Sequence, residues 1–478
     1  MILSFDALLR FFVEEPILHV INRVYLLGGW IILLSLLFYA GFFMLFIYKR
    51  ILWKKDWNWI LLAIDIPQEN VQTPKAVEQL FAHIFSVMDP PSIGVKYWRG
   101  FFQYQFSFEI ISIEGYIQFI IRTVDKYRDV VEAAVYAQYP DVDITEVEDY
   151  TTDIPDKYPS DTHKIWAADF VLTQDYAYPI RLYSEFEHNI SKDTVLKDPM
   201  GTFLESFSRI GPGEQLWYQI IIEPLEEFRW KDHCIKEIKK VIGEKTEAKG
   251  NILSKIFFDN PLSKEVGKSL QELNSQIGGG PVSEDGASAK PERDGPPNQM
   301  LYLTPGQKTV LEGMENKIAK IGYETKMRGV YVARKEVYNP SRAINSLVGA
   351  VNQFNNPSSN SILPKYITST EYFFSEYRSN HRRNMHMFAY KTRNPWIGKN
   401  RYILNIEELA TLWHFPMSHV ATPRVQKAAT KSAEPPIGLP IEDIGGLPVA
   451  EPSVEEGEEE KKGHVTDTGE EITFNDFG

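Results

Sequence analysis

The chain predicts an α+β protein held by one N-terminal transmembrane helix. Three observations lead there. Val24–Tyr48, VYLLGGWIILLSLLFYAGFFMLFIY, contains no charged residue; as a helix it is about 37 Å long, enough to cross a hydrocarbon core of about 30 Å with some tilt. Downstream, period-two and 3.6-residue apolar patterns alternate as strand, helix, strand, strand, helix, strand, and a second, interrupted set follows. Cys234 is the only cysteine, which excludes an intrachain disulfide framework and any multi-cysteine metal site.

The uncharged run is too long, starts too late and lacks the small-residue site of a cleaved signal peptide. Lys49, Arg50, Lys54 and Lys55 follow it at once and make residues 49–57 a basic juxtamembrane collar. Residues 1–23 instead mix Arg10 and Arg23 with Asp6, Glu14 and Glu15. Basic residues beside a span stay cytoplasmic. The expected arrangement is therefore single-pass, with the N-terminus outside and the bulk of the chain in the cytoplasm. Phe5, Leu8, Leu9 and Phe12 recur at helical spacing, so residues 1–23 read as an amphipathic segment along the outer leaflet, cut from the span by Pro16.

Beyond the collar, Trp59–Ile66 reads as a strand. Thr73 and Pro74 then start a helix with Val77, Leu80, Phe81, Ile84, Phe85 and Met88 on one face, closed by Asp89-Pro90-Pro91. Phe101–Ile113 and Tyr116–Thr123 flank Glu114-Gly115 as a hairpin; Asp125–Tyr139 is helical and Asp141–Val147 returns as a strand. Residues 58–150 are thus expected to form a ferredoxin-like (βαββαβ) unit. A second such unit is expected over residues 160–424, from strands Ala167–Thr173, Pro179–Phe186, Gln215–Glu223, Tyr323–Ala333 and Met385–Tyr390 and helices Met200–Ile210 and Ser341–Phe354. It carries an insertion at about 230–320 that includes a linker of disordered composition, residues 278–299. Asn405–Trp413 is an Asn-capped helix with Glu407 and Glu408 in its first turn. Residues 425–478 read as a disordered acidic tail. Within it, Ile441–Gly478 holds twelve acidic residues against Lys461 and Lys462, ten of the chain's thirteen net negative charges. The folded part is nearly neutral.

Known reaction chemistries find little support. Gly243-Glu244-Lys245-Thr246 lacks the upstream glycine of a phosphate-binding loop, and neither HExxH nor GxSxG occurs. His381 and His386 are five apart, which turns them to different faces of a helix. Asp141, Asp143, Glu146, Glu148 and Asp149 read as a solvated strand edge, since nothing makes them converge. No catalytic residue, metal site or cofactor is expected. One basic stretch stands out: Arg378, Arg382, Arg383, Lys391, Arg393, Lys399 and Arg401, with no acid among them and with Tyr377, Phe388, Tyr390, Trp396 and Tyr402 interleaved. Such a pattern suits phosphate neutralisation with base stacking, a docking face for a partner protein or for the acidic tail, or an ordinary solvated face. Phe474-Asn475-Asp476-Phe477 is a further aromatic-acidic docking candidate against the reading of an unstructured end.

LLAIDIP (Leu61–Pro67), TPKAVEQLFAHI (Thr73–Ile84), FSFEIISIEG (Phe106–Gly115), FIIRT (Phe119–Thr123), EAAVYAQYPDVDITEVEDY (Glu132–Tyr150) and LNIEELATLWHFP (Leu404–Pro416) together resemble an uncharacterised bacterial membrane-protein family. That family is related to the region preceding the motor domain in ATPases of the type IV secretion and conjugative-transfer class. The resemblance implies membrane location and association with such a motor ATPase, while no motor sequence follows Pro416. The expected function is a non-catalytic membrane adaptor, with Asn405, Glu407, Glu408, Leu409, Leu412 and Trp413 as the docking surface. The second reading is a membrane-tethered nucleic-acid-binding protein using residues 377–402. Expected partners are the lipid bilayer and the motor ATPase, with nucleic acid as the alternative; single-span proteins often act in rings, but the sequence counts no subunits.

Overall fold

The uncharged run and the collar form one helix, Trp30–Lys55 (α1), entered through a single π-helical turn at Tyr25–Gly29. No proline or glycine separates Tyr48 from Lys55, and Lys54 and Lys55 in the last turn complement the helix dipole. The helix therefore runs on through the collar. Its stretch Leu33–Lys55 is long and apolar enough to cross a membrane, and none of its residues is buried inside the protein. The computed structural model describes residues 25–417 except 56, 68–69, 189–194, 197 and 244–302, together with Pro16, His19 and Asn22. The amphipathic segment with Phe5, Leu8, Leu9 and Phe12, the linker 278–299, the tail 425–478 and Phe474–Phe477 lie outside the described residues. Those described belong to one compact unit, Met1–Ala429.

After α1 come β1 (Trp59–Asp65), α2 (Pro74–Ile84), α3 (Ile93–Trp98), β2 (Phe106–Ile113), β3 (Tyr116–Val124), α4 (Arg128–Tyr136) and β4 (Asp143–Val147). The second half supplies β5 (His163–Leu172), the short pair β6 (Glu187–His188) and β7 (Val195–Leu196), α5 (Pro199–Ser208), β8 (Glu214–Pro224), α6 (Phe228–Ile242), α7 (Pro305–Ala319) and β9 (Gly322–Arg334). It closes with α8 (Pro340–Asn352), β10 (Ile362–Lys365), α9 (Ser375–Lys391), β11 (Tyr402–Asn405) and α10 (Ile406–Leu412). The fold is α+β.

All but β6 and β7 join one nine-stranded antiparallel sheet in the order β10-β5-β9-β8-β2-β3-β1-β4, with β11 on the edge of β9 that β5 leaves uncovered. The expectation was two successive units; instead a single sheet runs through both. The seam is β2 against β8, from Phe106↔Ile222 to Ile113↔Gln215. Its cause is local. FSFEIISI and EQLWYQIIIEP are buried on both faces, and a strand with two covered faces belongs inside a sheet, not at its edge.

Two expected strands are corrected. Pro179–Phe186 is a connection ending in a 3-10 turn: the Ile180 N–H donates to Glu408 Oε1 and the Arg181 N–H to the Phe354 carbonyl, so this backbone is satisfied away from any ladder. Met385–Tyr390 lies inside α9, where His386, Met387 and Tyr390 share the buried helical face, and Ile362–Lys365 is the strand that completes the second set.

One face of the sheet carries α2, α4, α5, α8 and α10, whose Phe81, Val135, Phe203, Val351 and Leu409 join a continuous core with Phe108, Phe119, Tyr218 and Met327. Across the other face lies α9. Its Met387 and Tyr390 pack with Ile120, Ile165, Trp217 and Val330, and the Tyr390 and Trp217 rings stack at 5.1 Å.

Candidate functional site

The basic stretch is placed by α9 and the loop after it. Arg393 follows the helix in a left-handed conformation, φ 49, while the Asn394 N–H returns to the Ala389 carbonyl at 2.9 Å and closes the helix end. That turn drives the Arg393 side chain down onto the sheet, where it is fully buried. Its Nε donates to Glu109 Oε1 at 3.0 Å, its Nη2 to Glu109 Oε2 at 3.2 Å, and its Nη1 pairs with Asp149. Gln219 and Ser107 also donate to Glu109 Oε1, at 2.9 and 2.6 Å, and the Tyr150 hydroxyl donates to Oε2 at 2.8 Å. Burial alone would push the Glu109 carboxyl up; the Arg393 charge and these hydrogen bonds outweigh it and hold the group below the usual carboxylate range.

A second cluster lies one strand pair away. Asp169 on β5 accepts from Lys326 Nζ at 2.6 Å and Arg328 Nε at 3.3 Å, both on β9, and from the Lys399 N–H at 2.7 Å. Arg328 continues to the Asn394 and Ile397 carbonyls at 2.6 and 2.7 Å. Burial pushes Lys326 down to about 8 against the pull of Asp169. Both clusters fasten the loop 392–401 to the sheet, and protein cations engage every carboxylate in them. Among the described residues no group of three or more His, Cys, Asp or Glu could hold a metal ion.

The seven basic residues therefore do not form one surface. Arg393 is consumed below. Arg401 bridges Glu223 at 2.6 Å and Glu324 at 2.9 Å and lies over the Trp396 ring. Lys391 pairs with Asp156 at 2.6 Å, Arg382 donates to the Ile367 carbonyl at 2.9 Å, and Arg383 donates to Asn380 at 2.6 Å. Arg378 and Lys399 are exposed. In the acidic group, Asp149 leaves its neighbours to meet Arg393, which corrects its reading as a solvated edge residue. Sequence reasoning missed Glu109 and Asp169; the signal was one acid inside each of the otherwise apolar runs FSFEIISI and WAADFVL.

The segment expected to dock a partner is core. Asn405, Glu408, Leu409, Leu412 and Trp413 are buried, and only Glu407 among the six is partly exposed. Asn405 and Glu408 close a capping box, Glu408 meets Lys317 at 2.8 Å with neither side chain exposed beyond 1%, and Glu407 meets Lys320 at 2.6 Å. The Trp413 ring lies 4.9 Å from Phe108 and 5.7 Å from Phe119. A surface offered to a partner cannot also be the packing of the sheet.

The collar is where the structure opens. Lys49, Arg50 and Lys54 are half-buried and Lys55 is exposed. Phe46 meets Tyr97 of α3 at 5.7 Å, Trp53 meets Phe101 at 5.7 Å, and Trp57 stacks on Tyr104 at 4.6 Å. Gly100, at φ +74, lets this loop touch the α1 backbone; a Cβ there would fall 2.5 Å from the Lys49 carbonyl carbon. Lys54 caps the Phe102 ring at 3.6 Å. Beside this junction is a cavity of about 580 Å³ lined by Arg50, Lys96, Arg229, Asp89, Glu226 and the Arg401 cluster among others.

These features define an α+β protein with one N-terminal apolar helix seated on the end of a nine-stranded antiparallel sheet. Residues 62–428 match the family described as a domain of unknown function, DUF8128, and the chain belongs to that family. The matched region begins within β1 and takes in both halves of the sheet together with α9 and α10. No curated protein matches the chain.

Proposed function

We propose that this protein is a non-catalytic membrane adaptor: α1 crosses a bacterial inner membrane once, its N-terminus outside, and holds the sheet against the cytoplasmic face. The observation that carries the reading is the junction. A flexible tether would place polar linker between span and domain, whereas here the helix continues to Lys55 and seats against Gly100, Phe101 and Phe102. A sheet fixed to its anchor has one orientation relative to the bilayer, which a scaffold requires. We read each half as a ferredoxin-like unit, β2-β3-β1-β4 and its counterpart β8-β9-β5-β10, joined edge to edge at β2 and β8. The partner class is a motor ATPase of the secretion or DNA-transfer kind, as the sequence resemblance implies. Its contact lies outside the buried α10 segment.

The test is recovery of partners from detergent-solubilised membranes with a tag at the C-terminus of the full chain. Nuclease-resistant recovery of a motor ATPase is the expected result. Loss of every partner on nuclease treatment would overturn the reading in favour of nucleic-acid binding, and ATP turnover by the purified chain alone would overturn its non-catalytic part.

A further inference from the structure

The cavity at the junction combines two independent features. The first is unmatched charge of both signs. Arg401 bridges Glu223 and Glu324, and Glu223 also favours the Arg50 charge without a direct ion pair; the side chains of Arg50, Lys96, Arg229, Asp89 and Glu226, which share the lining, make no hydrogen bond or ion pair with any described residue, Asp89, Lys96 and Arg229 facing solvent. Arg50 Nε is shielded from solvent and still has no acceptor, a costly arrangement for a cationic donor. The second is position. Arg50 stands one turn beyond Phe46 on α1, among Lys49, Lys54 and Lys55, so a bilayer that holds α1 has its headgroups at this level. Tyr97, Phe228 and Trp396 line the same cavity and are 45%, 68% and 56% exposed, and Trp98 beside them is 74% exposed; aromatic residues of this kind collect at the membrane–water boundary.

We propose that this cavity holds the headgroup of a bilayer phospholipid carrying a phosphate diester and a primary ammonium, with Arg50, Lys96 and Arg229 taking the phosphate and Asp89 and Glu226 the ammonium. The inference rests on α1 crossing the bilayer. Arg50, over the Phe46 and Phe102 rings at 4.8 and 5.1 Å, Lys96, over Tyr97 at 5.6 Å, and Arg229 keep their N–H donors for the phosphate oxygens. Two free carboxylates disfavour a headgroup of purely negative charge and accept hydrogen bonds that a primary ammonium can donate and a quaternary one cannot. Nor does an aromatic cage await a quaternary ammonium: Arg401 already lies 3.8 Å from the centre of Trp396, and Lys54 3.6 Å from that of Phe102.

The experiment places the full chain in phosphatidylcholine nanodiscs doped with either phosphatidylethanolamine or phosphatidylglycerol, then counts retained lipids by native mass spectrometry after detergent release. Phosphatidylethanolamine is expected to be retained over both others, and Arg50→Gln and Glu226→Gln, on different elements, are each expected to lower its retention about tenfold, the worth of one charge-assisted hydrogen bond. Soluble phosphorylethanolamine is expected not to compete; effective competition would mean that a free phosphorylated amine, and not a lipid, is the occupant. Equal retention of the three lipids, or unchanged retention in both variants, overturns the site. Failure of the anchor is read separately: a chain that alkaline carbonate strips from membranes refutes the span, whereas a firmly embedded chain that retains no phosphatidylethanolamine refutes only the headgroup site.

Discussion

Arg393 and Glu109 are 284 residues apart in the chain and meet at 3.0 Å, both fully buried, between the loop after α9 and the strand at the seam of the sheet. Removing one partner leaves an uncompensated charge under α9. Glu109→Gln or Arg393→Gln is expected to destabilise the folded unit by about 3–5 kcal/mol in urea unfolding of the detergent-solubilised chain. The double replacement should cost less than the sum of the two, because the second change removes the charge that the first stranded. Additive losses would show that the two side chains act independently.

Gly100 tests the junction without touching the core. At φ +74 and against the Lys49 backbone, Gly100→Ala combines strain with a clash and is expected to cost about 1–3 kcal/mol locally. The end of α1 should lift from Phe101. The measurements are a red shift of fluorescence from Trp53 and faster protease cleavage within residues 49–58, with the unfolding midpoint of the sheet little changed.

His386 sets an acid limit. It is buried beside Asp169, its Nε2 donates to the Tyr366 carbonyl at 2.5 Å, and burial pushes its pKa down to about 4 from an ordinary 6.5. The unfolded chain therefore binds a proton here that the folded one refuses, so stability is full above pH 6.5 and is lost as pH falls from 6.5 to about 4. The loss from this one group is about 3 kcal/mol. His386→Gln, which keeps a donor but cannot titrate, should show a smaller fall in unfolding free energy between pH 7 and pH 4 than the unsubstituted chain. An identical fall in both would refute the assignment.

Trp413→Ala and Leu409→Ala are each expected to cost about 3–5 kcal/mol, since both side chains are fully buried in the core. Phe373→Ser and Phe374→Ser, at positions 88% and 82% exposed, should stay within about 0.5 kcal/mol. Circular dichroism melts distinguish the two pairs directly.

Local rules carried far in this chain because its signals are local. Pro74 at the start of α2 and the Asn405 cap mark helix starts that the structure keeps. The uncharged run after Arg23 announced α1. What the sequence left hidden is set by partners distant in the chain. Asn405–Trp413 shows surface-type acids at its start, yet Glu408 is buried because Lys317 meets it across the fold. MHMFAY alternates like a strand, but the helical face of His386, Met387 and Tyr390 seats on Trp217 and its neighbours, and that contact decides for helix. The basic stretch likewise looked like a surface because Glu109 and Asp149, which pair with Arg393, and Asp156, which pairs with Lys391, lie more than two hundred residues upstream.

The packing of Trp413 and Phe415 over Phe108 and Phe119 also orders events during synthesis. The rings on β2 and β3 leave the ribosome roughly 300 residues before the side chains that cover them, an interval of about 15–60 s at ordinary elongation rates. Throughout it the first half-sheet exists without its lid, while α1 has already emerged. A chain broken between Val124 and Trp413 thus keeps α1 and bares an aromatic face, so premature termination in that interval should yield aggregates rather than a smaller folded protein.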